Sequence, residues 1–338
     1  MDTIVLKDLP ANYLYPFTLT RSVLDIRIGI LTIRQKWELL GVPVVAVVDK
    51  GEPIPVNMIP SSSVASCIKK GNPDLSGAIL IEYPWQIFQF TDEGIRNDFL
   101  FLTQNKKSAQ LSATNRVISP ENIFVEPGAK IEHSILNASA GPIYISKNAE
   151  IMEGSMIRGP FFLGEESVVK MGAKIYGATS IGKKCVVGGE IKNSVFFDYS
   201  NKAHDGYIGD SVIGSWCNLG AGTCNSNLKN TASDIGVWSQ RTKQFINVGS
   251  KCGLLMGDYT RSAINSSFNT GTVVGVCCNI FSEGLTSKFI PDFSWGKGDG
   301  SRYAFDKAII DIANWKRLKN EALTDMEIQN LRHIFENS

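Results

Sequence analysis

Ile145-Ser146-Lys147-Asn148-Ala149-Glu150-Ile151-Met152-Glu153-Gly154-Ser155-Met156-Ile157-Arg158-Gly159-Pro160-Phe161-Phe162-Leu163 carries an aliphatic side chain at every sixth position. The phase continues through Val169, Ile175, Ile181 and Val187 without a miss. Four residues after most of these stands a small residue: Ala149, Ser155, Ser167, Ala173, Thr179 and Cys185, with Phe161 and Ile191 as exceptions. A period of six is neither the alternation of a half-buried strand nor the 3.6 of a helix. It suits a parallel β-helix, in which three short strands close one triangular coil of about 18 residues and each face sends one aliphatic side chain inward. The small residue turns inward near the corner, where a large one would meet the next strand. An ordinary parallel sheet would need helices between such strands, and nothing from 120 to 225 has a helical pattern.

The rhythm breaks and returns. Ile213 and Leu219 are in phase, and weaker traces run through Val248-Gly249-Ser250 and Val274-Gly275.

The flanks read differently. Residues 1–112 alternate short apolar runs (Ile4-Val5-Leu6, Val44 to Val48, Ala78 to Ile81) with helical patterns over Val23 to Leu40, Ser62 to Lys70 and Thr91 to Thr103. That alternation predicts a small α/β domain with a mostly parallel sheet, joined by a polar linker, Gln104 to Asn115. Residues 113–290 form the β-helix domain. From 291 to 338 a Gly-rich passage, Trp295 to Gly300, leads into two helices. The second starts at Thr324 with Glu327 three residues on, a capping box. Its apolar Ile328, Leu331 and Phe335 leave two readings open, a solvated tail or one docked on the β-helix or another subunit.

Composition narrows the function. Lys and Arg number 34 against 33 Asp and Glu, with no polybasic run, so neither nucleic acid nor an anionic membrane is an expected partner. The first eight residues lack the pattern of a signal peptide, and the aliphatic run Val42 to Val48 is far too short to span a bilayer. Seven cysteines without C-x-x-C spacing suit reduced thiols in a cytoplasmic protein. Only three histidines occur, His133, His204 and His333, in an early coil, the middle and the tail. A zinc site of three converging imidazoles is excluded on that spacing, and no metal site is expected.

His204 lies where the rhythm fails, in Asn201-Lys202-Ala203-His204-Asp205-Gly206-Tyr207-Ile208-Gly209-Asp210. A break in a regular repeat marks a place where packing has yielded to another demand, although a loop histidine taken alone is more often plain surface polarity. The string Lys202-Ala203-His204, Tyr207-Ile208-Gly209-Asp210, Val212-Ile213-Gly214, then Asn218-Leu219-Gly220-Ala221-Gly222-Thr223 and Asn227, resembles the acetyltransferase domain of the bifunctional N-acetylglucosamine-1-phosphate uridyltransferase/glucosamine-1-phosphate N-acetyltransferase family. The resemblance covers about residues 140–255. It implies a left-handed parallel β-helix, a homotrimer with sites between subunits, acetyl-CoA as cosubstrate and a small sugar phosphate as partner. It implies His204 as general base, Lys192 on the sugar phosphate, Tyr207, Asn218 and Asn227 on the sugar, and Ala221 and Ser250 along the coenzyme channel. The family's phosphate-binding arginine one coil before Lys192 is missing: counting 18 back gives Lys174, and aligning by coil gives Tyr176. A further family lysine has only Lys229 and Lys243 as candidates.

The residue types fit that chemistry. An amine attacks a thioester only once it has lost its proton, and a neutral imidazole accepts one near neutral pH. A backbone N–H can steady the oxyanion, so a cysteine nucleophile such as Cys217 or Cys224 is unnecessary.

Leu6 to Val23 is similar to the start of sugar nucleotidyltransferases, keeping Tyr15-Pro16-Phe17-Thr18-Leu19-Thr20-Arg21. The phosphate loop there needs glycines so that backbone N–H groups can wrap a triphosphate, and Lys7 to Leu14 contains none. Asp49, ending a strand, is a candidate magnesium ligand only if nucleotidyl transfer is retained. Arg21 is read as structural or a weak anion site. Three functions follow, in order: an amino-sugar-phosphate N-acetyltransferase, a sugar-1-phosphate nucleotidyltransferase, and a non-catalytic scaffold.

Overall fold

The computed structural model describes residues 4–7, 9–42, 44–48, 54–70, 78–296 and 298–338. Asp49 lies outside them. From Arg116 to Ile290 the chain is a parallel β-solenoid with three faces. The first face stacks nine strands, from Ile123–Val125 to Phe289–Ile290. The second stacks eight, from Lys130–Ile131 to Asn279–Ile280. The third stacks six, from Arg116–Ile118 to Tyr207–Gly209.

Register bears out the period of six. Ile145 pairs with Leu163 and Leu163 with Ile181 on the first face; Ile151, Val169 and Val187 follow one another on the second; Ile157 stands on Ile175 on the third. All eight are at most 2% exposed and share one interior cluster. Each such side chain removed from water stabilises the fold by roughly 1.5–3 kcal/mol. Later coils are shorter: Ile175 pairs with Ile191, Ile181 with Phe196 and Val187 with Lys202. The six-residue phase therefore drops out although the coiling does not.

The small residues do more than leave space. Between the first and second faces they form an interior column: Ser167, Cys185, Ser200, Cys217, Thr260 and Cys278, all buried. Ser167 Oγ donates to Gly182 O (2.6 Å) and accepts from Cys185 N (2.9 Å). Cys185 Sγ then donates to Phe197 O (3.1 Å), Ser200 Oγ to Gly214 O (2.5 Å) and Cys217 Sγ to Gly257 O (3.2 Å). Each member thus satisfies a corner carbonyl of the next coil, as buried polar backbone requires.

In the N-terminal region, strand Ile4–Lys7 lies parallel between Val44–Val48 and Ile54–Pro55. The helices are α1 (Ile33–Leu39), α2 (Ser62–Lys69), α3 (Gln86–Gln89) and α4 (Thr91–Thr103). The expected helix over Val23 to Leu40 is corrected to its last third. A 3-10 turn (Val23–Asp25) and a two-stranded antiparallel ribbon, Arg27–Ile28 with Leu31–Thr32, come first. Gly29 makes the ribbon's bend at φ 84°, and a Cβ there would meet the α4 backbone at Gly94. Ile79–Leu80 also departs from the expected parallel sheet and pairs antiparallel with Met58–Ile59.

This region does not keep a separate core. Leu6, Phe17 and Trp37 share one cluster with Val195, Phe197, Val212, Leu255 and Val273 from the outside of the first face. After the solenoid, α5 (Phe305–Arg317) and α6 (Asp325–Glu336) are docked, with the capping box at Thr324 and Glu327 formed. Phe305, Ile312, Leu331 and Ile334 pack on Tyr259, Val276 and Phe293. No described helix is long and apolar enough to cross a membrane.

Candidate active site at a solenoid corner

His204 stands at the corner between the second and third faces, after Asn201–Lys202 and before Tyr207–Gly209. The turn is compressed. Gly206 adopts φ 126°, and a Cβ on it would lie 2.1 Å from Thr223 O in the coil above. A Cβ on Gly189 in the coil below would come within 2.9 Å of His204 O. Three consecutive carbonyls are held from three directions. His204 O accepts from Lys202 Nζ (2.6 Å), Asp205 O from Gly222 N (2.9 Å) and Gly206 O from Glu190 N (3.1 Å). The imidazole itself is exposed.

Lys202 was missed at the sequence level. It pairs with Val187 and points into the solenoid, 1% exposed, at a position the preceding coils fill with aliphatic residues. Nζ also donates to Gly188 O (2.9 Å). Burial pushes its pKa down to about 8. The signal was a lysine in an aliphatic slot, hidden because the coil had already shortened.

The third sheet ends at Tyr207–Gly209. Asn225, 3% exposed, takes over the ladder: its Oδ1 accepts from Gly209 N (2.8 Å) and its Nδ2 donates to Gly209 O (3.1 Å). Beside this break, Asp210, 3% exposed and left-handed at φ 48°, accepts from Asn193 Nδ2 (2.6 Å) and Asn227 Nδ2 (2.5 Å). Tyr207 bonds to Asn227, and burial raises its phenol pKa, with Asp210, Tyr176 and Glu190 adding to the rise. Asp210 was not among the expected site residues; its left-handed corner after Gly209 was the available clue.

Register also resolves the position before Lys192. Lys192 pairs with Tyr176 below and Gly209 above, whereas Lys174 pairs with Glu190 one row over. Lys174 is exposed and Lys192 half-buried. Tyr176 donates to Glu190 Oε1 (2.6 Å), and that bond with the carboxylate pushes its pKa up to about 12.

Ala221 occupies the same corner as His204, one coil higher; Gly222 beside it donates to Asp205 O. Asn218 is on the adjoining second face, between Asn201 and Arg261. The tail borders it: Lys319 Nζ donates to Asn201 Oδ1 (2.9 Å), and Trp315 lies 5.6 Å from the Arg261 guanidinium. Ser250 is exposed and falls at a different corner. It follows the antiparallel hairpin Gly236–Ser239 with Gln244–Asn247, inserted between the third and first faces. One chain therefore brings together His204 with Ala221, and Lys192 with Tyr207 and Asn227. It does not bring Ser250 to them. Lys229 is tied to Asp234 O in that insertion.

The nucleotidyltransferase-like segment is committed elsewhere. Arg21 is ion-paired with Asp258, which also accepts from Thr20 Oγ1 (2.7 Å). Arg27 pairs with Asp198 (3.1 Å), and Tyr15 donates to Asp292 Oδ1 (3.1 Å). These three aspartates each accept a backbone N–H at alternate solenoid corners, from Lys183, Ser215 and Val276. All seven cysteines are unpaired, and burial drives the Cys185 thiol up to about 12. Among the described residues no group of three or more His, Cys, Asp or Glu could hold a metal ion.

A family model described as sugar nucleotidyl transferase matches residues 3–49. The bifunctional sugar-1-phosphate nucleotidylyltransferase/acetyltransferase of Sulfurisphaera tokodaii is 32% identical over 176 residues, 52% of this chain and 42% of that protein. The bifunctional protein GlmU of Methanococcus maripaludis is 37% identical over 167 residues, 49% of this chain and 39% of its own. Among solved structures, the polySia specific acetyltransferase NeuO overlaps 61% of this chain and 94% of its own at 14% identity, with a TM-score of 0.33. The chain spans less than half the length of these curated relatives. Over about half of its own length it is similar to two proteins named bifunctional, one of whose names joins sugar-1-phosphate nucleotidylyl transfer to acetyl transfer.

Proposed function

We propose that this protein is an N-acetyltransferase that moves the acetyl group of acetyl-CoA to the amine of a glucosamine-1-phosphate-like sugar phosphate, as a cytoplasmic homotrimer. The observation that carries the reading is the corner itself: an exposed imidazole on a turn whose backbone is tied at three successive carbonyls, next to the Tyr207–Asn227–Asp210 cluster. A general base must be placed accurately and still be reachable.

In this reaction His204 takes a proton from the substrate ammonium. The free amine adds to the thioester carbonyl, the C–S bond breaks, and CoA leaves as a thiol after receiving a proton. Lys192 holds the phosphate as a point charge. Tyr207, Asn218 and Asn227 select hydroxyls, while Ala221 and Ser250 border the coenzyme. The first face carries the N-terminal region and the upper second face the tail, whereas the third leaves Ile118 (50% exposed), Ile135 (41%) and Met156 (44%) open. These three apolar side chains, set among exposed Arg116, Arg158 and Lys174, suit contact with neighbouring copies, through which Ser250 of one chain could approach His204 of another.

The test is thiol release from acetyl-CoA in the presence of glucosamine-1-phosphate. Activity lost by 10²-fold or more in His204→Ala, with folding kept, supports the reading. A fully active His204→Ala overturns the assigned base, and absence of thiol release with every amino-sugar phosphate leaves the scaffold reading.

A second reading, sugar-1-phosphate nucleotidyl transfer, is favoured by the family match at residues 3–49. It would require magnesium and is read out as pyrophosphate from UTP or dTTP. The engagement of Arg21 by Asp258 weighs against it.

A further inference from the structure

Lys202 is out of place. Along the inside of the second face the preceding positions are Ile131, Ile151, Val169 and Val187, in unbroken register. The next is a lysine, paired with Val187 and 1% exposed. Lysine is almost never this buried without a partner, and an ammonium group taken from water carries a penalty of several kcal/mol. No ion pair involves it among the described residues. Its hydrogen bonds go instead to two corner carbonyls in successive coils, Gly188 O (2.9 Å) and His204 O (2.6 Å). Gly188 N returns a bond to Lys202 O (2.7 Å), closing the staple.

A residue kept only for stability would be aliphatic here, since packing apolar volume in place of a buried charge is usually neutral or favourable. What an aliphatic side chain could not do is reach the carbonyl of residue 204. The remaining two carbonyls of that turn are held by backbone N–H groups from the coils above and below. Of the three, only His204 O has no backbone donor among the described residues, and Lys202 supplies one from inside.

We propose that Lys202 is a positioning residue that fixes the backbone of His204 from within the solenoid, so that the imidazole is presented in one orientation to the acceptor amine. This rests on the reading of His204 as the base. It extends that reading with a residue that never touches substrate.

The three histidines make the test direct, because protein labelled with ¹³C at histidine Cε1 gives three signals, and His204→Asn identifies one by its loss. Lys202→Met should shift or broaden the His204 signal while leaving those of His133 and His333 in place. It should lower kcat about tenfold with KM for glucosamine-1-phosphate changed less than about twofold. Ser200→Ala is the control for mere loosening of the same coil: it removes an interior bond at another corner, and should lower thermal stability without moving the His204 signal. Should Lys202→Met fail to fold, Lys202→Gln is read the same way. A folded Lys202 variant with an unmoved His204 signal overturns the proposal, as does collapse of both variants, which would make Lys202 a plain stabiliser. Because the spectrum needs no turnover, failure of the acetyltransferase reading would show in the thiol assay and leave this result separate.

Discussion

Arg21 donates its guanidinium to the carboxylate of Asp258, a solenoid corner residue 5% exposed, while Asp258 accepts Ser215 N with its other oxygen (2.8 Å). The arginine of the nucleotidyltransferase-like segment, read as structural or a weak anion site, thus acts as a strut. Removing one partner of such a buried pair strands the other. Asp258→Ala is expected to cost about 3 kcal/mol, measured by denaturant unfolding, and to make the N-terminal region cleavable by protease. A variant as stable as the native chain would remove the strut.

Asp210 is buried, yet it holds both Asn193 and Asn227. Asp210→Ala frees the Asn227 amide and removes a charge-assisted bond. KM for the sugar phosphate should rise about tenfold, equivalent to about 1.4 kcal/mol. Steady-state kinetics at fixed acetyl-CoA would check this, and an unchanged KM would detach Asn227 from the sugar.

Lys192 and Lys174 separate two alignments of the missing arginine. Lys192 lies in the row of Tyr176 and Gly209, half-buried; Lys174 lies in the next row, exposed, opposite Glu190. Lys192→Ala should raise KM for the sugar phosphate about tenfold or more, since a partly desolvated charge pair is worth about 1.5–3 kcal/mol. Lys174→Ala should change it less than about twofold, as an exposed charge would. Equal effects would place the phosphate astride both rows.

Lys202 predicts a pH signature in stability. Its folded pKa is pushed down to about 8, below the ordinary value near 10.4. Between these values the unfolded chain binds the extra proton, so the lysine's contribution to stability grows as pH rises. The buried thiols, raised in pKa, oppose this, so the quantity to follow is the difference between native protein and Lys202→Met. That difference should move in favour of the native protein by about 2 kcal/mol from pH 7.5 to 10, by urea titration. A flat difference would mean that the amine is solvated.

The solenoid was legible from Ile145 to Val187 because every coil there repeats at 18 residues, so the sequence and spatial periods coincide. It became illegible after Ile191, where coils shorten and an insertion separates Asn225 from Leu254, although Ile213 still stacks on Met256. The same shortening concealed Lys202. His204, Lys192, Tyr207 and Asn227 could be picked out by motif; His204 lies at the corner before the third face, and Lys192 and Asn227 lie towards its far end. Asp210 and Asn225 could not, because their roles depend on where the third sheet stops. The helix expected over Val23 to Leu40 failed at Gly29, whose close approach to Gly94 is a tertiary fact. Docking of the tail on Tyr259 and Phe293 was equally beyond local pattern.

The corner column of Ser167, Cys185, Ser200, Cys217, Thr260 and Cys278 alternates hydroxyl with thiol. Neighbouring coils lie about 4.8 Å apart, near the Cα separation that a disulfide spans, about 4.4–6.8 Å. Two cysteines stacked directly would therefore be poised to crosslink under oxidation. Each thiol here has an alcohol above or below it, which sets the nearest sulfur two coils away, about 9–10 Å. The interior is insulated from redox chemistry by spacing alone, and changing Ser200 to cysteine would join three sulfurs into one oxidisable stack.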